Sequence, residues 1–301
     1  RRTPGYSFLD LLHGYIYGRW TYFYIAVGTG EHPIAKIIRP LVNLLARLFP
    51  PSPPDESGRV TFADTYHGKV VTLEAATQLL TINEEIRLTD LEQVIPYTRA
   101  RDIVLHNPDH IVVLDCPCRS AREHPCLPLD VCLVIGEPFA GFVLEQHPDR
   151  SRRITPEEAV EIIRAEEKRG HVHHAFFKDA MLGRFYAICN CCSCCCGAMQ
   201  AHRNGTPMLA SSGYVSRVDE GRCVRCGRCV ELCQFDALTL GERAVVVDEG
   251  ACMGCGVCVT NCGVGALSLV RDPSKGEPLE ILALLADAAG HLAGVQAGSN
   301  S

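Results

Sequence analysis

Eight cysteines near the C-terminus form two quartets, Cys223-Cys226-Cys229-Cys233 and Cys252-Cys255-Cys258-Cys262, each with the spacing C-x-x-C-x-x-C-x-x-x-C. Three thiolates separated by two residues each can wrap one face of an iron–sulfur cube. The fourth, three residues on, points away on a helical turn and in a two-cluster module ligates the other cluster. A tetrahedral zinc site needs ligand pairs from separate arms, not three cysteines in one tight loop. The spacing therefore reads as [4Fe–4S] ligation. Gly227 and Gly256 lie between ligands, where backbone amides must approach inorganic sulfide closely.

The quartets belong to an internal repeat. Val218-Asp219-Glu220-Gly221 returns as Val247-Asp248-Glu249-Gly250, and the copies close on Ala237-Leu238 and Ala266-Leu267. Leu238–Leu240 and Ala244–Val247 read as strands around a turn at Gly241-Glu242. Each copy is then strand, cysteine loop, helical turn, strand. These residues resemble the bacterial 2[4Fe–4S] ferredoxin module over about 215–271. The resemblance implies one-electron transfer. It also implies that Cys223, Cys226, Cys229 and Cys262 hold one cluster and Cys252, Cys255, Cys258 and Cys233 the other. In that family a Pro follows the fourth cysteine, where this chain has Gln234 and Gly263. Pro stiffens the loop and ligates nothing, so the departure bears on rigidity and solvent shielding. The first loop carries Arg225 and Arg228 where the second has Gly254 and Val257, a charge difference expected to make the first cluster the easier to reduce.

Upstream lie Cys116, Cys118, Cys126 and Cys132, then Cys189, Cys191, Cys192, Cys194, Cys195 and Cys196. Thiols as dense as the second group cannot all pack as small hydrophobes. Together the two groups suffice for two cubanes with two thiols left over. One or two further iron–sulfur clusters are expected here, with a single zinc site or redox-active thiols as alternatives. All but Cys132 are candidate metal ligands; Cys132 sits inside an apolar run, where a cysteine is often only a small buried hydrophobe. Read as a helix, Cys189, Cys192 and Cys196 share one face. The layout looks like the region upstream of ferredoxin modules in uncharacterised 4Fe–4S proteins, a resemblance that brings no assigned reaction. Arg119 and Arg122, beside the Cys116-Pro117-Cys118 loop, read either as offsetting cluster charge or as part of a solvated loop, whereas His171, His173 and His174 read as structural imidazoles. No catalytic residue is assigned.

The elements that must position these thiols are partly visible. Ile111–Leu114 and Val131–Ile135 are continuous apolar runs, the mark of buried strands. Thr155-Pro156-Glu157-Glu158 is a capping box with Pro at the first helical position; its helix stops at Gly170 and buries Val160, Ile162 and Ile163. Further helices are expected near 72–80 and 96–106. Residues 6–24 concentrate aromatics: Tyr6, Phe8, Tyr15, Tyr17, Trp20, Tyr22, Phe23 and Tyr24. They read as a helical pair packed on the middle region, as a docking surface for a redox partner, or as a membrane-surface helix beside Lys36, Arg39 and Arg47. Pro50-Pro51-Ser52-Pro53-Pro54 reads as a stiff linker. The expected fold class is α+β, with four parts. They are a helical N-terminal region and linker (1–54), a small α/β cysteine-rich domain (55–210), a ferredoxin-like module (211–272), and a C-terminal helix and tail (273–301).

Acids exceed bases by 35 to 29, a net charge of −6, which gives no support to nucleic-acid binding. No apolar run reaches the roughly 18 residues of a spanning helix, and the first residues lack the apolar stretch of a secretory signal. A reducing cytoplasm is expected, with peripheral membrane contact through residues 6–49 as a further option. There is no G-x-G-x-x-G after a strand, no P-loop and no nucleophile elbow. The expected function is iron–sulfur electron transfer, as a one-electron carrier or a subunit feeding an anaerobic oxidoreductase, with a redox protein or oxidoreductase complex as partner. The alternative is a reductase whose Cys189–Cys196 group acts on a substrate such as a disulfide.

Overall fold

The computed structural model describes residues 6–37, 40, 62–89 and 91–288; the Pro-rich linker, Arg39 and Arg47 lie outside them. Its centre is an eight-stranded sheet built from β1 (Tyr66–Val71), β2 (Ile86–Leu88), β3 (Ile103–Asp115), β4 (Asp130–Glu137), β5 (Ser151–Ile154), β6 (Val172–Lys178), β7 (Arg184–Cys191) and β8 (Leu209–Ala210). The order is β2-β3-β4-β7-β6-β1-β8, with β5 also paired to β3. The middle region is therefore not the alternating α/β arrangement expected from its strands and helices. Every pairing is antiparallel except β1 with β8. The expected helix near 96–106 is also absent. β-branched Ile103 and Val104 favour a pleated surface and pair with Leu88 and Arg87, extending the strand expected at 111–114 upstream.

Both faces of the sheet are covered, which explains the unbroken apolar runs. Ile111, Val113, Leu133, Ile135 and Ile188 face one core, closed by α4 (Leu73–Thr81) and α7 (Pro156–Lys168). Thr155 caps α7 through Glu158 N–H; Val160 and Ile163 are buried and Ile162 packs at the edge. Leu279 and Ile281 also enter this core, and the helical residues 281–288 lie beside it. Val112, Leu114, Val134, Cys132 and Tyr186 face the opposite core. That side is covered by α1 (Phe8–Arg19), α2 (Thr21–Gly28), α6 (Phe139–Gln146) and α8 (Gly197–Arg203). The N-terminal aromatics thus form a helical pair packed on the middle region. Tyr22 donates to the Asp115 carbonyl (2.9 Å), and the His147 ring to that of Gly18 (2.7 Å). Short α3 (Phe62–Thr65) leads into β1, and α5 (Pro117–Ser120) follows β3. Among the described residues no helix is long and apolar enough to cross a membrane.

The C-terminal repeat folds as its two halves predict. β9 (Tyr214–Val218) and α9 (Arg228–Leu232) lead to β10 (Leu238–Leu240); β11 (Val245–Val247) and α10 (Val257–Thr260) lead to β12 (Leu267–Arg271). β9 pairs with β12 and β10 with β11, so the copies close on each other. Their shared core is small: Cys229, Leu238, Val245, Cys258 and Leu267.

Candidate metal centres

In the C-terminal repeat the backbone is shaped around the cysteines. Gly227 and Gly256 sit at φ +80° and +87°, a left-handed conformation that turns α9 and α10 away from their cysteine loops. The Ala237 N–H points at Cys233 Sγ (3.3 Å), and its repeat counterpart Ala266 N–H points at Cys262 Sγ (3.2 Å). The Ser216 hydroxyl lies 3.4 Å from Cys258 Sγ. Amide and hydroxyl dipoles aimed at sulfur suit thiolate ligands of a negatively charged cluster, so this cradle fits [4Fe–4S] groups. One small cavity is lined by Cys233, Cys252, Cys255 and Cys258 together. Of the two arginines in the first loop, Arg228 lies 3.8 Å from Glu231, both exposed, and Arg225 Nε donates to the Gly241 carbonyl. The expected charge difference between the loops is thus partly offset by Glu231.

The residue that replaces the usual Pro has a visible role. Gln234 Oε1 accepts the Ser193 N–H at 2.8 Å, and Arg203 Nη2 donates to the Gln234 carbonyl and the Asp236 carboxylate. Phe235 and Met253 pack against the thiol-bearing core of the sheet, while Leu232 and Val257 pack on Val70 and Val172. A second seam joins α7 to α10. The Thr260 hydroxyl donates to Glu167 Oε1 (3.1 Å), and Asn261 Nδ2 to the Glu167 carbonyl (2.9 Å). Burial lifts the Glu167 carboxyl from 4.5 to about 7. The folded state then holds a proton that the unfolded chain releases, so stability falls as pH rises from about 4.5 through about 7, by up to about 3 kcal/mol. Glu167→Gln should flatten that slope, read as urea midpoints at pH 5 and pH 8; a wild-type midpoint that rises with pH would contradict it.

The ten upstream thiols separate into two groups. Cys132 and Cys189 are paired in register on β4 and β7, and Cys191, two residues on, shares the face of Cys189. Cys116 and Cys118 flank the start of α5, and Cys196 caps α8. These six, together with Cys192 and Cys195, line one largely apolar cavity of about 90 Å³. The helical reading of 189–196 is therefore replaced by strand alternation followed by a tight turn. Cys132, set aside in the sequence, belongs to the inner group; its signal was the period-2 position on a strand facing Cys189. The contact with Cys118, with burial, pushes the Cys116 thiol up to about 12. The Cys116 and Cys189 thiols and burial push Cys132 well above its ordinary value. Thiolate ligation at this crowded, buried site needs a metal cation in place of the thiol protons. The remaining four, Cys126, Cys192, Cys194 and Cys195, gather with all Sγ atoms within 4.8 Å of one another; Cys194 is exposed, while Cys192 and Cys195 are buried and also reach the cavity.

Opposite the inner thiols the cavity meets aromatic side chains. Tyr17 and Tyr186 hydroxyls are 2.9 Å apart, and the buried Lys178 ammonium lies over the rings of Tyr17 (4.9 Å) and Tyr66 (4.6 Å). Burial brings Lys178 down to about 8.

Arg119 is buried beneath the inner thiols. It donates to Glu166 Oε2 (2.6 Å) and to the Asn190 carbonyl between Cys189 and Cys191 (3.0 Å). Glu166 also receives His171 (2.6 Å) and Arg169 (3.0 Å), and His173 donates to Asn190 Oδ1 (2.6 Å). His171 and His173 are thus structural donors. Arg119→Met should destabilise the protein by about 3 kcal/mol, the lower end for breaking a buried pair, because Glu166 keeps two partners. Urea unfolding followed by far-UV circular dichroism measures it; a loss below about 1 kcal/mol would show the pair to be dispensable.

No curated protein matches the chain. Residues 215–266 match the family model of the 4Fe-4S dicluster domain, so the C-terminal part of this chain carries the signature of iron–sulfur electron transfer.

Proposed function

We propose that the protein carries single electrons between its dicluster module and a metal centre in the cysteine-rich domain, as a carrier or as a subunit feeding an oxidoreductase of anaerobic metabolism. When bound, [4Fe–4S] clusters supply reversible one-electron transfer. Cys223, Cys226, Cys229 and Cys262 are assigned to one cluster, and Cys252, Cys255, Cys258 and Cys233 to the other. The observation that carries the reading is the seat of Gln234, the residue after Cys233, on the Ser193 N–H between Cys192 and Cys194. Cys226, in the first quartet, is exposed. That polarity supports entry at the first quartet and exit at the second. The inner six thiols supply enough ligands for a further cluster. The exposed Phe8, Leu9, Trp20 and Phe23 support docking of a redox protein.

The test is anaerobic reconstitution of the full chain with iron and sulfide, followed by rapid-freeze EPR after mixing with a one-electron reductant. Iron and sulfide above the roughly eight of each in two cubanes are expected, with a third signal rising after the module's signals. Eight of each and no third signal would refute the relay.

A second reading, reduction of a small apolar substrate such as a disulfide, is favoured by the cavity between the inner thiols and Tyr17, Tyr66 and Tyr186. It predicts that a substrate or inhibitor shifts the third EPR signal; an unchanged signal favours the carrier.

A further inference from the structure

We infer that Cys126, Cys192, Cys194 and Cys195 form a site for one tetrahedral, thiolate-bound metal ion of the zinc or ferrous class, separate from every iron–sulfur cluster. The separation of the sulfurs carries the argument. Four thiolates bound to one ion at about 2.3 Å stand about 3.8 Å apart. The four corner thiolates of a cubane stand about 6 Å apart, because the iron–sulfur core lies between them. Here Cys126 and Cys194 Sγ are 3.1 Å apart, Cys194 and Cys195 Sγ 3.7 Å, and all four lie within 4.8 Å. Among the described residues neither quartet of the dicluster module gathers its sulfurs this closely.

The surroundings are built to hold this arrangement. The chain reverses at Cys192–Cys196, where the Cys196 N–H donates to the Cys192 carbonyl (3.0 Å), so three ligands come from one turn and Cys126 from a separate arm. The turn is pinned from three sides. Gln200 Nε2 donates to the Cys194 carbonyl (3.0 Å), Arg122 Nη2 to the Cys195 carbonyl (3.1 Å), and Ser193 N–H to Gln234. Arg122, itself paired with Glu31, brings positive charge to a site whose four thiolates outweigh a divalent ion by two. The ion would tie the 121–129 loop to the 192–196 turn, and so brace the turn on which the dicluster module sits. Ten upstream thiols thereby divide into four for one ion and six for the inner centre, in place of two cubanes and two spares.

The experiment compares full-length wild-type protein with Cys126→Ser and Cys194→Ser, purified anaerobically, for zinc, iron and acid-labile sulfide. Each variant is expected to lose one equivalent of zinc, or one of iron, and no sulfide. Wild-type protein separates the two metals. Zinc shows four sulfur neighbours at about 2.3 Å and no nearby metal by X-ray absorption; isolated iron shows the high-spin ferric EPR signal of a mononuclear thiolate site on oxidation. Loss of several irons together with sulfide in either variant overturns the assignment. So does wild-type protein with neither the zinc environment nor the ferric signal, a readout that stands even if a variant fails to fold. A failed electron relay would leave these metal counts unchanged, so the two proposals fall separately.

Discussion

Stripping iron from the protein with a chelator should abolish the fold of residues 214–271 while the eight-stranded sheet keeps its structure. The module's shared core holds three purely apolar side chains, Leu238, Val245 and Leu267, beside the two thiols Cys229 and Cys258. So few fully buried apolar side chains do not offset the entropy of ordering the module's backbone, and ligation of metal by its eight cysteines supplies the missing stability. Contacts of Leu232 and Val257 with Val70 and Val172 tether the module and add little to its interior. The core between the sheet, α4 and α7 contains no cysteine and loses nothing when metal leaves. Hydrogen exchange followed by mass spectrometry reads both halves at once. Protection in β9 and β12 should vanish while that in β3, β4 and β6 persists. Protection surviving in β9–β12 after complete iron removal would show a polypeptide core sufficient by itself.

The parts of this molecule legible in the sequence are those fixed by local chemistry. The quartets announce themselves because an iron–sulfur cube demands thiols at set intervals in one loop. The repeat displays the strands around them, and Thr155-Pro156-Glu157-Glu158 states where α7 begins. What stayed hidden depends on long-range pairing. Cys132 looked like core because an apolar strand buried on two faces has no visible alternation; only its register against Cys189 reveals which face it serves. Cys189 to Cys196 invited a helical reading because i, i+3 and i+4 thiols coincide there, yet β7 runs through Cys191 as a strand between β4 and β6. Continuous apolar strands beside helices also mimic a parallel α/β sheet, whereas here both faces are covered in an antiparallel one. Gln234 was visible as a departure from the family pattern. Its partner Ser193, distant in sequence, turns that departure into a docking contact.

Cys233→Ala should remove the second quartet's cluster and spare the first. Cys233 follows the first loop in sequence, so a simple local reading assigns it to Cys223, Cys226 and Cys229. In space its side chain lines the same cavity as Cys252, Cys255 and Cys258. Alanine there leaves three thiolates and an open corner, and deprives the Ala237 N–H of the sulfur it faces at 3.3 Å. The variant should retain about half of the module's iron and lose one of its two EPR signals. The mirror substitution, Cys262→Ala, should lose the other signal, because Cys262 holds the equivalent position relative to Ala266. The functional consequence differs between the two. The Gln234 side chain next to Cys233 seats the module on the Ser193 turn, and in the proposed relay the cluster that Cys233 ligates is the one that passes electrons to the upstream thiols. Cys233→Ala should therefore slow reduction of the middle-domain centre by orders of magnitude. In Cys262→Ala the second quartet remains able to take electrons directly from a small soluble donor. Rapid-freeze EPR on both variants decides the matter. If Cys233→Ala instead loses the signal that Cys223→Ala loses, the fourth ligand stays with its own loop, and the path into the cysteine-rich domain must start from the other quartet.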